Sequence, residues 1–152
     1  AATSTLRARL AVQRLAFAPL MFQACRVLRD VGLLEQLATQ RERGLTATEG
    51  QARCGVSLYA AELLLEAALA SNLCTFEDCS PEPRFFITPM GVYWLRDPLT
   101  RVNAEFNHHV CFEGAFRLRE ALLEGRPAGL AAIDSTRATT VSEQLGSLPG
   151  GG

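Results

Sequence analysis

The sequence predicts a mostly α fold: a winged helix-turn-helix with a small β-hairpin wing and flanking helices. Three observations predict it. Two short helices, each with its own start signal, meet at CGVS around Gly55. Two runs rich in β-formers, Leu73–Phe76 and Arg84–Thr88, follow across a turn-rich EDCSPEP. Apolar residues before and after this centre recur at helical rather than strand spacing.

Composition sets the frame. At 152 residues, 48% apolar and 20% charged, the chain has the balance of one globular domain with a core of its own. A net charge of −1 gives no general attraction to nucleic acid or to an anionic membrane. All 15 basic residues are arginine, the bias of a GC-rich coding sequence, which leans bacterial. Five scattered cysteines, at 25, 54, 74, 79 and 111, do not form a disulfide framework and suit a reducing cytoplasm. No apolar run is long enough to span a membrane, and Arg7, Arg9 and Arg14 interrupt any signal-peptide core.

The elements follow in order. Leu6, Leu10, Leu15 and Phe17 make a helical stripe with the arginines largely off it. Pro19 suits a first turn, so a second helix is expected to start there and to run through APLMFQACRVLRDVG. Gly32 offers a C-cap or break. LLEQLAT supplies another helical turn or two, and QRERG a polar loop. Thr46-x-x-Glu49 is the capping-box pattern, opening a short helix that ends at Gly55. Ser57 caps the next helix, whose expected apolar face is Leu58, Ala61, Leu65, Ala68 and Leu69. The two β runs make the hairpin. Thr88-Pro89-Met90-Gly91 then leads into a short helix through Leu95. From Pro98 to Leu123 a helix is expected, with Val102, Phe106 and Val110 spaced by four, as are Phe112 and Phe116, its Phe106/Val110 side buried, ended by Gly125 and Pro127. The segment 131–152 is small and polar, with one weak turn expected near Val141–Leu145.

A winged helix raises DNA first. The helix that would enter the major groove has Glu62 and Glu66 as its only charges, and two carboxylates repel a polyanion. In the wing loop Arg84 is offset by Glu77, Asp78 and Glu82. DNA is therefore a disfavoured partner, and a winged-helix regulator or ligand sensor is the alternative rather than the leading reading.

Four stretches in this order, APLMFQACRVLRDVGLLEQLA, LTATEGQARCGVSLYAAELLLEAALASNL, RFFITPMGVYWL and FNHHVCFEGAFRLREALLEGRPAGL, resemble the N-terminal dimerisation domain of S-adenosylmethionine-dependent O-methyltransferases of the plant phenolic, acetylserotonin and bacterial secondary-metabolite type. The likeness spans about Pro19 to Leu130 and rests on the order and spacing of motifs that are each weak alone. It implies a swapped homodimer, dimerisation helices flanking the winged helix, and a wall over an acceptor pocket for a small aromatic or polyketide-like substrate. In such enzymes S-adenosylmethionine and the catalytic base belong to a separate Rossmann-like methyltransferase domain. No Gly-x-Gly-x-x-Gly loop follows a strand in this sequence, so the expectation is no cofactor in this chain and no methyl transfer by it alone. The expected division is a winged-helix dimerisation domain over 1–130, then a flexible tail or the start of a linker to the absent domain over 131–152.

The candidate site residues fall into two groups. Both histidines lie in FNHHVCFEGAF, residues 106–116. At helical spacing His109 shares a face with Glu113, and His108 with Cys111, but neither face has the three or four ligands a metal needs, so no metal is expected. A cysteine nucleophile, Cys111 beside His108, lacks an orienting group and an oxyanion hole, so no catalytic residue is assigned. A small stand-alone enzyme using this His-His-Cys helix is kept as a third reading. The resemblance makes Asn107, His108, Cys111 and Phe112 substrate-binding residues. The second group is Phe17, Met21 and Phe22, which the resemblance sends across the dimer toward the partner's pocket, where Met and Phe make adaptable contacts with flat ligands. Their alternative is plain dimer core.

Overall fold

The computed structural model describes residues 2–129. The expected turn near Val141–Leu145 and the segment 131–152 lie outside them. The chain divides into two compact units, Ala1–Arg101 and Val102–Gly152.

The first unit begins with α1, Ala2–Asp30, a single helix that carries Pro19 inside it. This corrects the expected break. Proline removes one backbone hydrogen bond and leaves the carbonyl of residue 15 without its usual donor. Leu15 is 77% exposed, so water can serve that carbonyl. Ala16, Ala18, Leu20 and Met21 around the proline all favour helix. Gly32, at φ 85, turns the chain into α2, Leu33–Thr39. α3, Ala47–Cys54, opens on the full capping box: Thr46 Oγ1 accepts from the Glu49 N–H at 3.1 Å and Glu49 Oε2 accepts from the Thr46 N–H at 3.2 Å. Gly55, at φ 68, closes it. Ser57 then caps α4, Leu58–Ala70, through the Ala60 N–H.

β1, Cys74–Glu77, and β2, Arg84–Ile87, pair antiparallel with Cys74 opposite Ile87 and Glu77 opposite Arg84. Leu45 adds a bridge to Phe85, exchanging two backbone hydrogen bonds of 2.9 Å, a pairing the sequence pattern does not reveal. Thr88 caps α5, Pro89–Arg96, by accepting from the Gly91 N–H at 3.1 Å. The result is the expected mostly α, winged-helix-like fold with one small antiparallel sheet.

The core of this unit collects Leu28 from α1, Leu33, Leu34 and Leu37 from α2, Leu65 from α4, and Leu45, Leu73 and Cys74 from the segments around the hairpin, all buried to within 2%. On α4 the buried face is Ala61, Leu64, Leu65 and Ala68. Leu64 replaces Leu58, which is 39% exposed, because the helix turns its 61/65/68 line toward α1 and the hairpin. Trp94 of α5 donates its indole N–H to the Cys25 carbonyl of α1 at 3.1 Å.

The helix expected from Pro98 to Leu123 is broken. α6, Pro98–Phe106, passes into a π turn at Asn107–Cys111, then α7, Phe112–Ala115, and α8, Leu118–Glu124. The π turn places one extra residue in the helical path, so the spacing by four that joins Val102, Phe106 and Val110 does not continue as one buried stripe. Val102 and Phe106 are exposed and Ala104 is buried instead. In the second unit Gly114 of α7 and Gly129 approach closely enough that a Cβ on Gly129 would lie 2.9 Å from the Gly114 carbonyl oxygen. Gly125, at φ 62, ends α8.

Candidate functional site

Phe17 and Met21 lie on α1 at i,i+4 and line one open hollow of about 460 Å³ with Gln13, Arg14, Ala18 and the α4 end, Ala70 and Ser71. The lining is chiefly apolar, with Arg14, Gln13 and Ser71 as its polar groups. Phe22 is not part of it. Its ring stands edge-on to Trp94 at 6.2 Å and so belongs to the packing of α1 on α5. The helix explains the split: residue 22 is rotated about 100° from residue 21.

Two thiols are buried in the core of the first unit. Cys25 donates to Ser71 Oγ at 3.3 Å, and Cys74 lies 3.8 Å from the Leu65 carbonyl. Burial pushes both thiols up, Cys74 to about 12, with Cys25 beside it adding to the effect. Neither is a thiolate nucleophile near neutral pH. None of the five cysteines is in a disulfide.

The second group sits in the second unit, in and just after the π turn. Asn107 is exposed and donates to the Asn103 carbonyl at 2.8 Å. His108, Cys111 and Phe112 are half-buried. The His108 ring stands edge-on to that of His109 at 4.7 Å, and His109 Nε2 lies 3.1 Å from Glu105 Oε2, one turn back. Phe112 meets Phe116 edge-on at 6.5 Å. Among the described residues no group of three or more His, Cys, Asp or Glu side chains is placed to hold a metal ion, and no helix is long and apolar enough to cross a membrane.

Hollow-lining residues missed by the sequence reading are Gln13, Arg14, Ala18, Ala70 and Ser71. Gln13 and Arg14 carry a signal, since they lie one turn from Phe17 on the same helix. Ala70 and Ser71 carry none, because only the packing of α4 on α1 brings them there.

Residues 8–80 match the family model of the Dimerisation2-like domain. The fold is similar to that of human N-acetylserotonin methyltransferase, solved in complex with SAM: TM-score 0.63, 19% identity, covering 78% of this chain and 35% of that one. It is also similar to the S-adenosylmethionine-dependent methyltransferase SibL, solved in its apo form: TM-score 0.61, 22% identity, covering 89% of this chain and 44% of that one. At these identities the likeness establishes the fold, and the chain spans less than half the length of either enzyme. No curated protein matches it. The resemblance to the N-terminal dimerisation domain of S-adenosylmethionine-dependent O-methyltransferases, drawn from the residue patterns, is borne out.

Proposed function

We propose that this chain is a homodimerisation module of a methyltransferase-type enzyme and forms one wall of its acceptor pocket. The observation that carries this is the first half of α1. Every residue from 4 to 20 is exposed, including Leu6, Leu10, Val12, Leu15, Phe17 and Leu20. An isolated helix of this length is marginal in water, and each large apolar side chain left in solvent forgoes about 1.5–3 kcal/mol of burial. A second copy of the chain supplies the missing surface, in keeping with the matched domain family.

The pocket role rests on the hollow beside that arm. Phe17 and Met21 give a small aromatic or polyketide-like acceptor flat and adaptable contacts, and Arg14 and Gln13 give it polar ones. Within the second unit, Asn107, His108, Cys111 and Phe112 are proposed as substrate-contacting residues in their own right, by hydrogen bonding and packing rather than as acid or base. Residues 2–129 contain no strand, glycine loop and helix in succession of the kind that cradles S-adenosylmethionine; their sheet is a two-stranded hairpin. No methyl-transfer step is assigned to them.

Light scattering across a dilution series into the low micromolar range tests the dimer. The expected molar mass is twice the 16.5 kDa of the chain and survives dilution. A folded monomer would overturn the reading.

A further inference from the structure

Two helices of the first unit, α1 and α4, carry opposite charge. Before Asp30, α1 carries only arginines, with Arg7, Arg9 and Arg14 in the exposed half. α4 carries only carboxylates, Glu62 and Glu66, both exposed. On α4 the exposed residues Tyr59, Leu63, Glu66 and Ala70 recur at i, i+4, i+7 and i+11, one continuous stripe on the side opposite the buried Ala61, Leu64, Leu65 and Ala68. On α1, Leu6, Leu10, Gln13 and Phe17 recur at the same spacing, with Arg9 bordering the stripe on one side and Arg7 and Arg14 on the other. Both stripes run into the same hollow, where Ala70 faces Gln13 and Phe17.

The arm cannot cover its own α4. α1 is continuous through Pro19, and its exposed half reaches α4 at the Ala70 end. Leu6 lies eleven residues further out, about 16 Å along the axis at the helical rise, so it projects beyond the unit. We propose that in the dimer the basic arm of one copy lies along the acidic outer face of α4 of the other. Its leucines pack on Tyr59 and Leu63 and its arginines pair with Glu62 and Glu66. The contact is made twice, once in each direction, as a two-fold axis requires. A nucleic acid would be repelled by the α4 face, whereas a second copy brings the complementary charge and the complementary apolar stripe on one helix.

This inference rests on the dimer reading and specifies its surfaces. Two double variants of the full chain test it: Glu62→Arg with Glu66→Arg, and Arg7→Glu with Arg9→Glu. All four positions are exposed on helices, so both variants keep the fold. Each alone sets like charges against each other at both contacts and is expected to raise the dimer dissociation constant about tenfold, measured by analytical ultracentrifugation. Mixed one to one, they restore opposite charges at both contacts, and the heterodimer is expected to form in preference to either homodimer. Variants that dimerise like the parent chain would overturn the arm-on-α4 arrangement and leave the dimer itself standing. Weakened homodimers that fail to recover on mixing would also overturn the pairing. A monomeric parent chain would overturn both readings.

Discussion

Gly91 shows how one residue can hold two elements together. It sits in the first turn of α5, where its N–H donates to Thr88 Oγ1 while the Thr88 N–H donates to the Leu73 carbonyl at 3.0 Å. A Cβ at Gly91 would lie 2.2 Å from that same Leu73 oxygen and 2.8 Å from Ile87 Cγ1. The first is backbone and cannot swing aside. Gly91→Ala is therefore expected to destabilise the fold by about 2–4 kcal/mol in urea unfolding, and a loss below about 1 kcal/mol would mean that α5 shifts without penalty. Thr-Pro-x-Gly was legible as punctuation. That its glycine is required by a close approach to the backbone just before β1 was not, because the approach is made by a residue eighteen positions earlier. The cysteines teach the same lesson: their types are plain in the sequence, but burial decides that Cys25 and Cys74 are packing groups.

Among the elements, α3 is the one most fully written in local sequence. Its capping box is present as predicted, and tertiary structure adds to it: Glu49 also receives Arg84 of β2 at 3.2 Å and Arg43 from the preceding loop. Partial burial alone would raise the Glu49 carboxyl. The Thr46 N–H and then Arg84 and Arg43 outweigh it and hold the carboxyl below its ordinary 4.5. A carboxylate lowered by folding stabilises the native state fully above its unfolded pKa, and that contribution is lost as pH falls through the folded value. The melting temperature of the parent chain is thus expected to fall more steeply below about pH 4.5 than that of Glu49→Gln, which has no charge to lose at that site. Parallel acid limbs would show that the ion pairs contribute nothing. By contrast, α1 and the region from α6 to α8 were misread. Propensity at Pro19 is local and weak against flanking helix formers on a wet face. A π turn leaves no mark on apolar spacing until the backbone is seen.

For the whole molecule, an arm of about five helical turns stands in solvent, and the second unit also exposes Phe116, Leu122 and Leu123 by more than 70%. Isolated exposed leucines are ordinary, but a continuous helix of them is a surface for association. If folding and association are coupled, the melting temperature depends on concentration. It is expected to fall by a few degrees across a hundredfold dilution. A melting temperature independent of concentration would indicate that each copy is stable alone.

The sequence by itself determined the elements whose causes are local. These are the Thr46 and Ser57 caps, the glycine stops at Gly32, Gly55 and Gly125, the hairpin and the start of α5, each governed by residues within a few positions of one another. From their order came the winged-helix class and the resemblance to a dimerisation domain. Tertiary structure alone decided which side of each helix is covered. It chose Leu64 over Leu58, set Phe22 against Trp94 and not in the hollow with Phe17 and Met21, brought Ala70 and Ser71 to the hollow, and left the arm of α1 bare. The reason is physical: a backbone hydrogen bond or a cap is satisfied by near neighbours, whereas burial depends on which distant surface arrives.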